Sequence, residues 1–145
     1  MTPVKIWKGF AVLLLAHLVL CVSAPYSAAV EESERKWTMY MRARDGTEYF
    51  YDKEAIIETP ERTLQVWRKR VFPDGAAQKE ILTFDQLTCD FREEYRTLRM
   101  SVTNWDGTTK VYDKWTPWAH IYTNSPEQYL VDQHCSQSYR QAPRK

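Results

Sequence analysis

Tyr95-Arg96-Thr97-Leu98-Arg99-Met100-Ser101-Val102-Thr103-Asn104-Trp105-Asp106-Gly107-Thr108-Thr109-Lys110-Val111-Tyr112 sets the architecture. Its first half alternates apolar and polar side chains, the period of a strand with one face toward a core. That period directs Leu98, Met100 and Val102 inward and Thr97, Arg99, Ser101 and Thr103 outward. Asp106-Gly107 then turns the chain, because glycine accepts positive φ without a Cβ clash, and Thr108 to Tyr112 returns alongside. The unit is an antiparallel hairpin.

The same grammar holds upstream. After Gly9, every glycine follows an aspartate: Asp45-Gly46, Asp74-Gly75 and Asp106-Gly107. Before the first of these pairs, Trp37 to Arg42 alternates with Trp37, Met39 and Met41 on one face, and Glu48-Tyr49-Phe50-Tyr51 follows it. Lys53 to Pro60 has no clean period and is expected to be a short turn or helical piece. Leu64 to Val71 and Ile81 to Cys89 supply two longer strands, for about six in all, mostly antiparallel. Asp45-Gly46-Thr47 leads to Tyr51-Asp52-Lys53 at the spacing that joins Asp106-Gly107-Thr108 to Tyr112-Asp113-Lys114. Two copies do not make a solenoid, and one turn chemistry used in two hairpins accounts for them.

One helix is expected, at the end. Ser125 can cap it, Pro126 suits its first position and Gln128 completes a capping box. Leu130, Val131, His134 and Cys135 then fall on one stripe. The fold class is therefore α+β: an antiparallel sheet with a C-terminal helix.

The N-terminus looks like a secretion signal. A short basic stretch ends at Lys8, and the apolar run from Gly9 to Val22 is shorter than the roughly 20 residues that span a bilayer. Ser27-Ala28-Ala29 supplies small residues at a cleavage site, so residues 1–29 are expected to be removed, leaving no transmembrane span. A linker at 30–36, a domain at 37–135 and a polar, basic tail at 136–145 follow. Leu20 before Cys21 departs from the small residue that a bacterial lipoprotein signal requires. Removing the signal leaves Cys89 and Cys135 in an oxidising compartment, where they are expected to bond each other and tie the helix to the sheet. The competing reading, a metal pair completed by His120 and His134, fits none of the zinc spacings.

Of the 20 Lys and Arg and 19 Asp and Glu residues, only Lys5 and Lys8 fall within the first 29 positions, so the exported part is close to neutral. It offers no global attraction to nucleic acid or anionic lipid, and any polyanion contact must be local. No glycine-rich phosphate loop, paired-histidine helix or G-x-S-x-G elbow is present, and no catalytic constellation or cofactor is expected. Met39, Met41 and Met100 suit Cu(I) chemically, but alternation predicts that they pack inward. The basic residues Arg68, Lys69, Arg70, Arg96 and Arg99, near Trp67 and Tyr95, form a candidate patch for an acidic glycan or protein surface. Arg68 and Arg70 alternate with Lys69, so both faces of one strand receive charge, and Asp90, Glu93 and Glu94 are the expected neutralising acids of this cluster, to which Arg92 also belongs. Neutralising Arg68, Lys69 and Arg70 together is expected to weaken partner capture while barely moving the melting temperature. A haem or small-ligand cleft with His120 or His134 as axial ligand is the alternative.

Trp37, Asp45-Gly46, Tyr49-Phe50-Tyr51-Asp52, Val66-Trp67-Arg68-Lys69-Arg70-Val71, Cys89, Tyr95-Arg96, Asp106-Gly107, Trp115, Trp118 and Cys135 stand in an order that resembles the bacterial surface-adhesin protein E-like domain, from about Trp37 to Cys135. The resemblance implies an antiparallel sheet with a disulfide-held C-terminal helix, and a periplasmic or surface location. It also implies adhesion to matrix and plasma proteins such as vitronectin, laminin and plasminogen, with haem binding and homodimer formation associated. Only Cys89 and Cys135 carry over as matched functional positions.

Overall fold

Two of the three Asp-Gly pairs close hairpins of identical design. Ala43 N–H donates to Thr47 O at 2.8 Å and Gly46 N–H to Ala43 O at 3.1 Å; Asn104 N–H donates to Thr108 O at 2.9 Å and Gly107 N–H to Asn104 O at 3.1 Å. Gly46 and Gly107 take φ of +90° and +83°, the left-handed position that ends a type I turn in a bulged hairpin. Asp45 and Asp106 each accept the N–H two residues on, at 2.9 Å, holding the turn from its own side chain. The repeated sequence is one turn solution used twice.

The computed structural model describes residues 34–135. The expected signal peptide, most of the 30–36 linker and the polar tail lie outside the described residues. Eight strands form among the described residues, rather than about six: β1 (Trp37–Arg42), β2 (Glu48–Asp52), β3 (Ile57–Glu58), β4 (Thr63–Val71), β5 (Glu80–Thr88), β6 (Glu94–Thr103), β7 (Thr109–Tyr112) and β8 (Ala119–His120). Six of them make the main antiparallel path, in the order β1-β2-β4-β5-β6-β7. The other two are short repairs to its margins. β3 pairs Gln65 and Leu64 on the β4 edge that β2 has vacated, and β8 pairs Glu94 and Tyr95 on the β6 edge beyond the reach of β7. The Lys53–Pro60 segment holds a 3₁₀ turn, Lys53–Ala55, capped by Asp52, and then β3.

Helix α1 (Pro126–His134) starts at the expected cap, with Ser125 Oγ accepting Gln128 N–H at 3.1 Å, but the capping box is not completed: Ser125 N–H donates to Tyr122 O and the Gln128 amide to Asp132 Oδ1. It lays Leu130 and Val131 on one face of the sheet, against Tyr51, Leu64, Val66, Leu87 and Ile121. Cys89 and Cys135 are bonded, their Cα atoms 5.4 Å apart, and the bridge is itself part of this core. No helix among the described residues is long and apolar enough to cross a membrane.

Two irregularities overturn the simple alternation. Between Met39 and Met41 the register of β1 on β2 slips by one residue, and between Phe84 and Asp85 the register of β5 on β6 slips as well. A bulge adds a residue and reverses the facing of everything beyond it. Met39 therefore shares the face turned away from α1 with its partner Phe50, and is 51% exposed, while Met41 lies across from Tyr49 on the helix face. Thr97, expected outward, pairs with Asp85 on the helix face, and its hydroxyl donates to that carboxylate.

Candidate functional site

The five candidate basic residues divide between the two faces. Register places Arg68 opposite Thr83 and Arg70 opposite Ile81 on the helix face; Lys69 lies opposite Leu82, Arg96 opposite Gln86 and Arg99 opposite Phe84 on the outer face. They do not form one stripe. Arg68 is only 7% exposed. Its Nε donates to Asp85 Oδ2 at 2.6 Å, and its Nη1 donates to Glu127 Oε1 at the start of α1. Asp85, fully buried, also accepts from Thr83 Oγ1 and Thr97 Oγ1, each at 2.6 Å. Arg68 is thus neutralised by Asp85 and Glu127 rather than by Asp90, Glu93 or Glu94, while Asp90 does neutralise a neighbouring cation, Arg92.

This cluster joins the sheet to the helix. Tyr40, the residue displaced by the β1 bulge, stacks on Tyr129 with ring centroids 5.2 Å apart. Burial pushes its hydroxyl up to about 12, against the opposing pull of Arg68. Burial alone would raise the Glu127 carboxyl, but the Arg68 guanidinium overrides it and holds Glu127 below the usual carboxylate range. A carboxyl depressed in the folded state adds stability above its unfolded value, about 4.3, and loses it as pH falls through the folded one. The stability gap between the parent and Glu127→Gln should accordingly be full above about pH 5 and shrink progressively as pH falls below the unfolded value and through the lower folded one. Urea unfolding at stepped pH measures this, and a gap of constant size would show that Arg68 does not tune Glu127.

The outer face is different chemistry. Lys69 Nζ stands 4.6 Å from the Trp37 ring centroid and 5.8 Å from that of Phe50, and the Arg35 guanidinium lies 4.0 Å from Trp67. Trp67 in turn stacks on Phe84 at 4.9 Å. The Arg96 guanidinium lies over both the Trp115 and the Trp118 ring, 4.7 and 4.6 Å from their centroids. Its Nε and Nη2 both donate to Gln86 Oε1, at 2.9 and 2.8 Å. Arg99 pairs with Asp113 at 2.9 Å. Cations over aromatic faces are worth about 0.5–1 kcal/mol each when exposed.

No known protein family, curated protein or solved structure matches this chain. Its chemistry therefore rests on the residues themselves. His120 is exposed and meets Tyr122 edge-on. His134 sits against Tyr51, its Nε2 buried without a hydrogen-bond partner, and burial lowers its pKa from the ordinary histidine value. A cleft of about 470 Å³ opens beside the start of α1, where Met41, Asn124 and Tyr129 contribute to its wall, and neither histidine lines it. Among the described residues no group of three or more His, Cys, Asp or Glu side chains is placed to hold a metal ion.

The basic-patch reading missed Asp85, Gln86 and Arg35. Asp85 had a signal, as the one acid inside the apolar stretch from Ile81 to Leu87. A carboxylate there must find a buried cation, and Arg68 is the one that register supplies.

Proposed function

We propose that this protein is an exported, non-enzymatic binding module of a bacterial envelope, working as a surface-adhesin E-like domain through the outer face of its sheet. The observation that carries the reading is the series of cation–ring contacts on that face, Lys69 with Trp37 and Phe50, Arg35 with Trp67, and Arg96 with Trp115 and Trp118. Such a surface recognises rather than transforms. It presents flat apolar area and positive charge, while on the helix face Arg68 is taken up by Asp85 and Glu127 in holding α1. The signal-like N-terminus and the disulfide support export.

The test uses a double variant, Trp37→Ala with Lys69→Ala, and immobilised vitronectin, laminin and a sulfated glycan. The parent should be captured by at least one of them and the variant about tenfold more weakly, a loss of about 1.4 kcal/mol. The melting temperature should fall by only a few degrees, since neither residue belongs to the core around α1. Equal capture of parent and variant, or no capture of the parent, would defeat the proposal.

A further inference from the structure

Among the cations of the outer face, Arg96 has an unusual partner. Arg35, Arg42 and Arg99 each meet a carboxylate, as do Arg68 on the helix face and Arg92 in the turn after β5, whereas Arg96 is held by the neutral amide of Gln86. Its charge is therefore not cancelled by its neighbour. A guanidinium carries five N–H donors in two forks. Gln86 Oε1 takes the fork formed by Nε and Nη2. The end-on fork of Nη1 and Nη2 remains, the edge that binds a carboxylate or sulfate through two parallel hydrogen bonds.

The surrounding structure fixes that fork in place. Gln86 Nε2 donates to Thr63 Oγ1 at 2.8 Å, and the Thr63 hydroxyl also bonds that of Thr59 at 2.8 Å, so the amide oxygen is turned toward Arg96. The loop that brings the tryptophans is pinned as well. Thr97 N–H donates to Thr116 Oγ1 and Thr116 N–H to Thr97 O, each at 2.9 Å, and β8 follows directly after Trp118. Both indoles contact the guanidinium yet remain 69% exposed at Trp115 and 37% at Trp118. A large apolar ring left this open adds little to the core, but it offers a flat surface beside a held positive fork.

We infer that the Trp115–Arg96–Trp118 clamp is a subsite for an anionic saccharide. The open fork takes a carboxylate or sulfate, and an indole takes the C–H face of the pyranose that carries it. The inference rests on the binding-module reading and assigns its ligand class. An acidic peptide satisfies the fork but brings no rigid flat face to the rings, so the paired indoles favour the sugar.

The experiment titrates the full-length protein with three oligosaccharides of equal length, following tryptophan fluorescence and heat: hyaluronan hexasaccharide, which carries carboxylates, heparin hexasaccharide, which adds sulfates, and neutral chitohexaose. At least one anionic probe should bind about tenfold more tightly than chitohexaose, and the better of the two identifies the anion. Trp115→Ala, at an exposed position, should weaken that probe about tenfold with an unchanged melting temperature. Gln86→Glu, which hands Arg96 a carboxylate in nearly the same shape, should abolish the preference for anionic over neutral sugar. Binding of chitohexaose equal to the anionic probes, no anionic binding at about 1 mM, unaltered binding by both variants, or equal binding of a hexaglutamate peptide would each overturn the assignment. The Trp37/Lys69 double variant leaves the clamp intact. If it loses capture while the sugars fail, the ligand class falls and the binding module stands.

Discussion

Arg68→Gln is expected to cost about 3–5 kcal/mol, the loss usual when one partner of a buried ion pair is removed. At about 4–8 °C per kcal/mol for a domain of this size, the melting temperature should drop by roughly 12 °C or more. The cause is what remains behind. Asp85 would stay fully buried with two threonine hydroxyls in place of a cation, and Glu127 would lose the charge that draws the start of α1 to the sheet. Replacing Arg68, Asp85 and Glu127 together by Met, Asn and Gln should recover much of the loss, because no uncompensated charge is then left inside. Thermal unfolding of the single and triple variants checks this. A single variant that melts within about 2 °C of the parent, under 1 kcal/mol on the same scale, would show that the network is solvated and not structural. The same geometry corrects the expectation that Arg68, Lys69 and Arg70 can be neutralised together at no cost to stability: a binding defect in that triple variant would be inseparable from unfolding.

The paired substitution Cys89→Ala with Cys135→Ala should remove about 4 kcal/mol. The two residues are 46 apart, and in the chain-entropy model a closed loop of that span restricts the unfolded chain by about this amount. The effect should be felt first at α1, which at nine residues is too short to persist without tertiary support. Amide exchange resolves the prediction by position: protection at Leu130 and Val131 should collapse before that of the β4–β5 centre. Uniform loss across the domain would mean that helix and sheet unfold as one unit even without the bond. A change below about 1 kcal/mol would mean that the unfolded chain is already compact around the two sites.

Much of this fold was legible because turns and caps are local. Asp45-Gly46 and Asp106-Gly107 needed only glycine's freedom at positive φ, and Ser125-Pro126-Glu127-Gln128 needed only the unpaired donors of a helix start. Cys89 and Cys135 paired because, with Cys21 set aside, they were the thiols left. The bulges at Tyr40 and beside Thr97 were not legible, since each is a property of two strands in register and leaves no mark on one. They are the reason Met39 and Thr97 face opposite to expectation. β3 and β8 were missed for a related reason: two residues carry no period, and both exist because a longer neighbour had an unpaired edge. The basic cluster shows the limit most sharply. Arg68 and Lys69 are adjacent and similar in composition terms, yet one is enclosed with two carboxylates and the other rests on aromatic rings. Only the pairing of β4 with β5, which sets Arg68 near Asp85, separates them.

The backbone of the sheet runs between two unlike chemistries, an ion network under the helix and ring-stacked cations on the reverse. Side chains on opposite sides of one sheet that share no partner change stability almost additively. A lineage carrying this architecture is thus free to redraw the reverse side, one substitution at a time, without renegotiating its interior. Diversification of what is grasped and persistence of the scaffold become separable problems.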